Sequence, residues 1–128
     1  MIHVTCAIIL KDEKVLLVQR SEHMPQPLEW EFPGGKVDAG ETETACLIRK
    51  IQEELQITIV PVKRLSPVQH SYPGKTILLI PYLCEWQSGT ISLTEHNAFK
   101  WVKPGDLKQY QVCAADVPIV EELLQLLK

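Results

Sequence analysis

The apolar and polar positions of the chain alternate between two periods, and the switches mark its elements. Residues from about Ile2 to Leu10 are apolar and β-branched, as are Val15 to Val18. The polar stretch Lys11 to Lys14 between them completes a predicted β-hairpin. Ser21 to Glu29 holds two prolines and little periodicity, so it reads as a loop. Trp30-Glu31-Phe32 suggests a short strand, broken by Pro33-Gly34-Gly35. A helix is predicted over Thr42–Leu55. Ala45, Ile48, Ile51 and Leu55 recur at helical spacing, Leu47 widens the stripe, and Thr42 stands at the N-cap after a turn at Gly40. Strands follow at Ile57–Leu65, Val68–Tyr72 and Thr76–Trp86, the last two separated by Pro73-Gly74-Lys75. Ala98–Val102 is a further strand and Pro104–Tyr110 a short helix. A final amphipathic helix runs from about Asp116 to Leu127, with Pro118 near its start, where its missing N–H costs little. Strands, helix, strands and helix in this order predict an α/β fold with a mixed sheet between helices.

Composition narrows the setting. A length of 128 residues predicts one domain, 1–128, large enough to bury a core without disulfides or a structural metal. A formal charge of -3 gives no basic footprint for nucleic acid, so none is expected as a partner. Cys6, Cys46, Cys84 and Cys113 are widely spaced and read as small buried hydrophobes, which fits a reducing compartment. The opening apolar run is short and has no basic segment before it, so it reads as a strand rather than a signal peptide. No apolar stretch approaches a membrane span, and a soluble cytoplasmic protein is expected.

The candidate chemistry lies around the first helix. Glu43, Lys50, Glu53 and Glu54 fall on one helical face, expected to lie opposite the core stripe. Adjacent glutamates repel each other in water but become useful around a hard cation, because magnesium takes oxygen ligands from one or two carboxylates and from phosphates. The plain alternative is a solvated charged face. Pro33-Gly34-Gly35-Lys36 precedes the helix, and glycines there allow close backbone approach and expose a carbonyl as a further ligand. A P-loop is excluded, since Trp30 and Val37 stand where it needs glycine and Ser or Thr.

Gly35, Glu41, Arg49, Ile51, Glu53, Glu54 and Ile57 together resemble the Nudix box, G-x5-E-x7-R-E-U-x-E-E-x-G-U, in register. Two positions depart from it: Lys50 replaces the glutamate of the R-E pair, and Gln56 replaces the glycine. Trp30 to Lys36, Glu95-His96 with Trp101, and Ala115 to Val120 look like the MutT branch, and within it most like cytidine-triphosphate pyrophosphohydrolases. The resemblance implies the Nudix α/β/α sandwich. It also implies hydrolysis of a nucleoside triphosphate to monophosphate and diphosphate with magnesium, or manganese in its place. Cytidine or oxidised purine nucleotides such as 8-oxo-dGTP are the implied substrates, in a nucleotide-pool house-cleaning role connected to DNA repair. A monomer would suffice.

By the same resemblance Glu53, Glu54 and Glu95 are catalytic and bind metal, and the Gly35 carbonyl is a further ligand. Glu95, in a predicted loop, would be the general base. Arg49 of the catalytic motif and Glu41 would hold loop and helix in place beside Gly34. Asp116 is the candidate base reader: an ionised carboxylate accepts from the amine of cytosine or the N1–H and amine of guanine, and offers little to uracil. Its simpler role is a helix N-cap, and the two can coexist. Glu31 is a second polar reader, Tyr72 a stacking platform, and Lys36 and Arg20 contacts for phosphate oxygens. His70 and His96 read as loop residues rather than ligands, since no second histidine stands at metal spacing.

Lys50 divides the functional readings. A protonated lysine cannot ligate magnesium, and one turn from Glu53 and Glu54 it is expected to pair with them. The leading expectation is a hydrolase of weak to moderate activity. The competing one is a nucleotide-binding module with little catalysis. A hydrolase of another diphosphate, such as a nucleotide sugar or a dinucleoside polyphosphate, is a third; the short chain and Ala115-Asp116-Val117-Pro118 count against it.

Overall fold

The computed structural model describes residues 1–128. Its strands are β1 (Ile2–Lys11), β2 (Lys14–Gln19), β3 (Trp30–Glu31), β4 (Gly34–Lys36), β5 (Ile57–Arg64), β6 (Val68–Tyr72), β7 (Lys75–Gly89) and β8 (Ala98–Val102). Helix α1 spans Glu43–Leu55 and α2 spans Val117–Leu126. Two 3₁₀ turns, Pro104–Gln109 and Ala114–Asp116, precede α2, so the short helix expected at Pro104 is 3₁₀ in form.

All eight strands join one mixed sheet. β1 and β7 run parallel from Ile2 opposite Ile77 to Leu10 opposite Glu85, and every other pairing is antiparallel. β1 is buried on both faces and feeds two cores. Cys6 and Ile8 join Val15 and Leu17 of β2 under Ile119, Val120 and Leu123 of α2. Ala7 and Ile9 join Leu16 and Val18 under Leu47, Ile51 and Leu55 of α1. Successive side chains on a strand point to opposite faces, so this one apolar run supplies both cores and produces helix–sheet–helix layers.

The site is opened by a change of partner along β1. Its end, Leu10 and Lys11, pairs with β2, while Val4, Thr5 and Cys6 pair with Lys36, Gly35 and Gly34 of β4. Between them the Ala7 N–H donates to the Pro33 carbonyl at 2.8 Å. The Pro-Gly-Gly segment therefore continues the sheet as β4 instead of ending it. Glycine is required at 34 because a Cβ there would stand 2.0 Å from the Thr5 carbonyl oxygen. The outer edge of β7 is likewise divided, between β6 and β5.

Helix α1 begins where its cap residue directs: the Thr42 hydroxyl accepts from the Ala45 N–H at 3.1 Å. Its buried residues are Cys46, Leu47, Ile51, Glu54 and Leu55, whereas Ala45 and Ile48 are exposed. The core stripe is thus rotated from the expected one and includes a carboxylate. Glu54 does not lie opposite the core; it faces the seam between α1 and the loop after β7. The helix ends at Gln56, which adopts the left-handed conformation (φ 59°, ψ 32°) that glycine takes without strain. All four cysteines are buried free thiols. No helix is long and apolar enough to cross a membrane.

Candidate active site

A cleft of about 380 Å³ opens where β1 changes partners. This is within the range of roughly 300–1,000 Å³ usual for small-molecule sites. Val4, Cys6, Ile77 and Leu79 line its apolar part, with Glu54 and Glu95 on one side and Asp116, Tyr72, Arg20 and Glu31 on the other. Gly34, Gly35 and His96 also border it, as do Met24 and Gln26 of the loop after β2.

At the acidic side, Glu54 is 6% exposed and its Oε1 is buried with no hydrogen-bond partner. Burial pushes its carboxyl up to about 7; His96 and Lys50 oppose the shift and Glu95 adds to it. An ionised carboxylate in such a place is costly unless a cation or donor meets it. Glu95 is carried by the loop after β7, which is fastened to the end of α1. The Thr94 N–H donates to the Glu54 carbonyl at 3.2 Å, and the Thr94 hydroxyl donates to the Glu53 carbonyl at 3.1 Å. These carbonyls are among the last four of the helix and have no intrahelical partners, so one threonine both caps α1 and registers Glu95 against Glu54.

The remaining motif residues form a brace outside the cleft. Arg49 donates from Nε and Nη2 to the two oxygens of Glu41 at 2.7 and 2.8 Å, from Nη2 to Asp38 at 3.2 Å and from Nη1 to Glu53 at 3.1 Å. Glu41 also accepts from the Asp38 N–H at 3.0 Å, and the Arg49 guanidinium holds its carboxyl down at about 2. Glu53 is thereby turned to Arg49, half exposed, and does not line the cleft. The Gly35 carbonyl accepts from the Thr5 hydroxyl at 3.2 Å, and the single thiol proton of Cys46 is shared between it at 3.6 Å and the Lys36 carbonyl at 3.3 Å. No three His, Cys, Asp or Glu side chains converge into a ready-made metal site. The donor set nevertheless fits a hard divalent cation at Glu54 and Glu95, because the buried partnerless oxygen of Glu54 is what such an ion would satisfy.

On the other side of the cleft, Asp116 is 5% exposed. Its Oδ2 accepts the Phe32 N–H at 3.0 Å, and its side chain makes no capping bond to α2. The expected N-cap role is therefore replaced by a tie across 84 residues, from the start of α2 to the segment between β3 and β4. The Trp30 N–H donates to the Gln111 carbonyl and the Cys113 N–H to the Trp30 carbonyl, which carries Asp116 to that position. Burial pushes the Asp116 carboxyl up to about 8, against the pull of the Phe32 N–H; Glu31 adds to the rise and Arg20 opposes it. Burial thus favours the neutral acid, which can donate as well as accept, over the carboxylate expected from sequence.

Glu31 is bonded on both oxygens: Arg20 Nη1 donates to one at 2.8 Å and His96 Nε2 lies 2.9 Å from the other. Arg20 also donates from Nε to the Pro25 carbonyl at 2.6 Å, so it holds the loop after β2 as well as Glu31. Its charge is committed within the protein rather than left free for phosphate. Tyr72 lines the cleft, with His70 of β6 edge-on at 4.7 Å between ring centroids. Lys36 is exposed on β4 and lies outside the cleft. Lys50 makes no ion pair with Glu53 or Glu54. His96 is a loop residue as expected, but its side chain, 3% exposed, also borders the cleft; its place in the Glu95-His96 pair of the MutT-like resemblance was its signal.

The NUDIX domain profile matches residues 1–123 of the chain. The chain is 36% identical over 126 residues to a CTP pyrophosphohydrolase of Escherichia coli, covering 98% of this chain and 93% of that protein. It is 34% identical over 119 residues to an 8-oxo-dGTP diphosphatase of Haemophilus influenzae, covering 91% and 87%. A crystal structure of a MutT protein from Methanosarcina mazei superposes with a TM-score of 0.90 at 26% identity, covering 99% of this chain and 95% of that one.

Proposed function

The chain belongs to the NUDIX family, and from that premise we propose that it is a divalent-metal-dependent nucleoside triphosphate pyrophosphohydrolase. Water adds across the α–β anhydride bond, giving a nucleoside monophosphate, diphosphate and a proton. The observation that carries this reading is the partnerless buried oxygen of Glu54, on the family's motif helix and in the same cleft as Glu95. Magnesium, or manganese in its place, would be held by Glu54 and Glu95, joined by Glu53 once it leaves Arg49. When bound, the ion neutralises phosphate charge and polarises the anhydride.

The protein's own groups do the rest. Glu95, the only one of these carboxylates on a loop, takes the proton of the attacking water. Arg49 and Glu41 hold the loop before α1 against the helix, so that Gly34 and Gly35 keep their place in β4. Tyr72 offers a face for the base. Asp116 reads the base edge with the oxygen not used by Phe32, and Glu31 fixes the rim through Arg20 and His96. Cytidine and oxidised purine triphosphates are the proposed substrates. The relatives so named support this, and so does a buried carboxyl that offers complementary hydrogen bonds to an amine-bearing base.

Lys50 favours a second reading, a nucleotide-binding protein with little catalysis, because it removes a carboxylate from the motif helix. Incubation with Mg²⁺ and a panel of nucleoside triphosphates including CTP and 8-oxo-dGTP, assayed for diphosphate, separates the two. Release from one or two of the panel is expected. Nucleotide binding without release from any of them would make the second reading the correct one.

A further inference from the structure

Lys50 has no ion-pair partner, although its charge acts on the buried Glu54. Arg20 is tied to Glu31 and Pro25, Arg49 to Glu41, Asp38 and Glu53, and the Lys75 ammonium lies 5.7 Å from the Tyr72 ring centroid. Lys50 makes no ion pair, although Glu53 and Glu54 follow it three and four residues later on the same helix. The reason is where its stem lies. A Cβ built on Gly35 would stand 2.6, 2.7 and 3.1 Å from Cε, Cδ and Cγ of Lys50. The methylenes therefore lie on the Gly35 α-carbon, a residue that borders the cleft, and the Lys50 charge acts on Glu54, whose carboxyl it helps to hold down. The absence of a side chain at 35 is what makes room for them.

A lysine whose stem is already packed loses less rotamer freedom when its head meets an anion than one that sweeps through solvent. An ammonium held in this way is a point charge suited to phosphate oxygens, for which three rotatable donors suffice. We propose that Lys50 is a phosphate-binding residue that grips the triphosphate end of a nucleotide without a metal ion. This rests on the nucleotide-hydrolase reading of the cleft. It gives Lys50 a positive role in place of a lost ligand: the chain carries within its own helix part of the charge that a bound ion would otherwise bring.

The test is calorimetric titration in EDTA of the wild-type protein, Lys50→Met and Lys50→Arg with CTP, inorganic tripolyphosphate and CMP. Wild type and Lys50→Arg should bind CTP and tripolyphosphate, and Lys50→Met should bind both about tenfold more weakly, with a shallower dependence on salt. CMP, which lacks the outer phosphates, should bind all three proteins alike. Equal affinity of wild type and Lys50→Met for tripolyphosphate would overturn the proposal. So would no measurable metal-free binding by wild type, or an equal loss for CMP. Diphosphate release with Mg²⁺, measured on the same preparations, keeps the two readings apart. A wild type that releases nothing, with the Lys50→Met loss intact, removes the hydrolase reading alone. Release without any Lys50 effect in EDTA removes this inference alone.

Discussion

The two ends of the cleft each bury a carboxyl group, and they treat it in opposite ways. Asp116, at the end proposed for the base, is given a backbone N–H at 3.0 Å, and burial raises its carboxyl to about 8. Glu54 at the phosphate end is given a partnerless oxygen and a second acid, Glu95, close enough to raise its carboxyl further. Asp116 is finished by the protein itself, as a structural tie that also borders the cleft. Glu54 is left incomplete. A buried polar atom without a partner costs stability, and this oxygen is the one that the proposed divalent cation would satisfy.

The sharpest way to break this contrast is to remove the unfinished charge. Glu54→Gln should lower diphosphate release by roughly 10²–10³-fold, the scale of losing one electrostatic group from a reaction centre. In EDTA above pH 7, where wild-type Glu54 is ionised, the same change should raise the unfolding midpoint by about 2–5 °C. Steady-state kinetics and thermal scans check the two halves, and a variant that is both slow and less stable would show that Glu54 is satisfied after all.

Asp116→Asn tests the other end. The folded carboxyl titrates near 8, above its ordinary 3.8. The native state therefore binds the proton more tightly, and the associated stability is present below pH 4 and lost as pH rises through 8. The amide keeps an acceptor for the Phe32 N–H but cannot ionise. The stability difference between variant and wild type should shift in the variant's favour by about 4 kcal/mol from pH 5 to pH 9, most of it between pH 5 and pH 8, on the scale of 1.36 kcal/mol per pH unit. Denaturant unfolding across that range measures it, and parallel curves would refute it.

Thr94→Val asks whether the phosphate end depends on its loop while the base end does not. Losing the hydroxyl bond to the Glu53 carbonyl should lower kcat about 3–10-fold, with KM for the nucleotide unchanged, and Thr94→Ser should restore it. A rise in KM instead would mean that the loop positions the base. The smallest effect is expected at Gln56, which touches neither end. Glycine there relieves the left-handed conformation and should stabilise the protein by about 0.5–1 kcal/mol without changing turnover.

Elements built from local signals were legible in the sequence. The β1–β2 hairpin, β6, β8 and the Thr42 cap follow from alternation, turn chemistry and a hydroxyl at the right offset. What was not legible depends on partners distant in the chain. β4 exists because β1 accepts Gly34 to Lys36 as a partner, which local chemistry reads as a turn. Apolar spacing alone places Glu54 on the solvent face of α1, but the turn that carries it is covered by the loop bearing Thr94. Lys36 stands beside the glycines of the motif in sequence, but it is the last residue of β4, exposed and beyond the cleft lining. The His96–Glu31 contact spans 65 residues and has no local signature.

The divided edge of β1 has a consequence for how this architecture can change. β2 carries β3 in register through Val18 and Gln19, and β4 is registered separately on Val4 to Cys6. The segment between β2 and β3 is thus clamped at both ends while its middle, with Met24 and Gln26, forms the rim of the cleft. It is sewn to the cleft at Pro25, whose carbonyl accepts from Arg20, and Arg20 leads through Glu31 to His96 beside Glu95. A change at Met24 or Gln26 alters the rim of the cleft directly, whereas a change that shifts Pro25 is relayed along this chain toward Glu95.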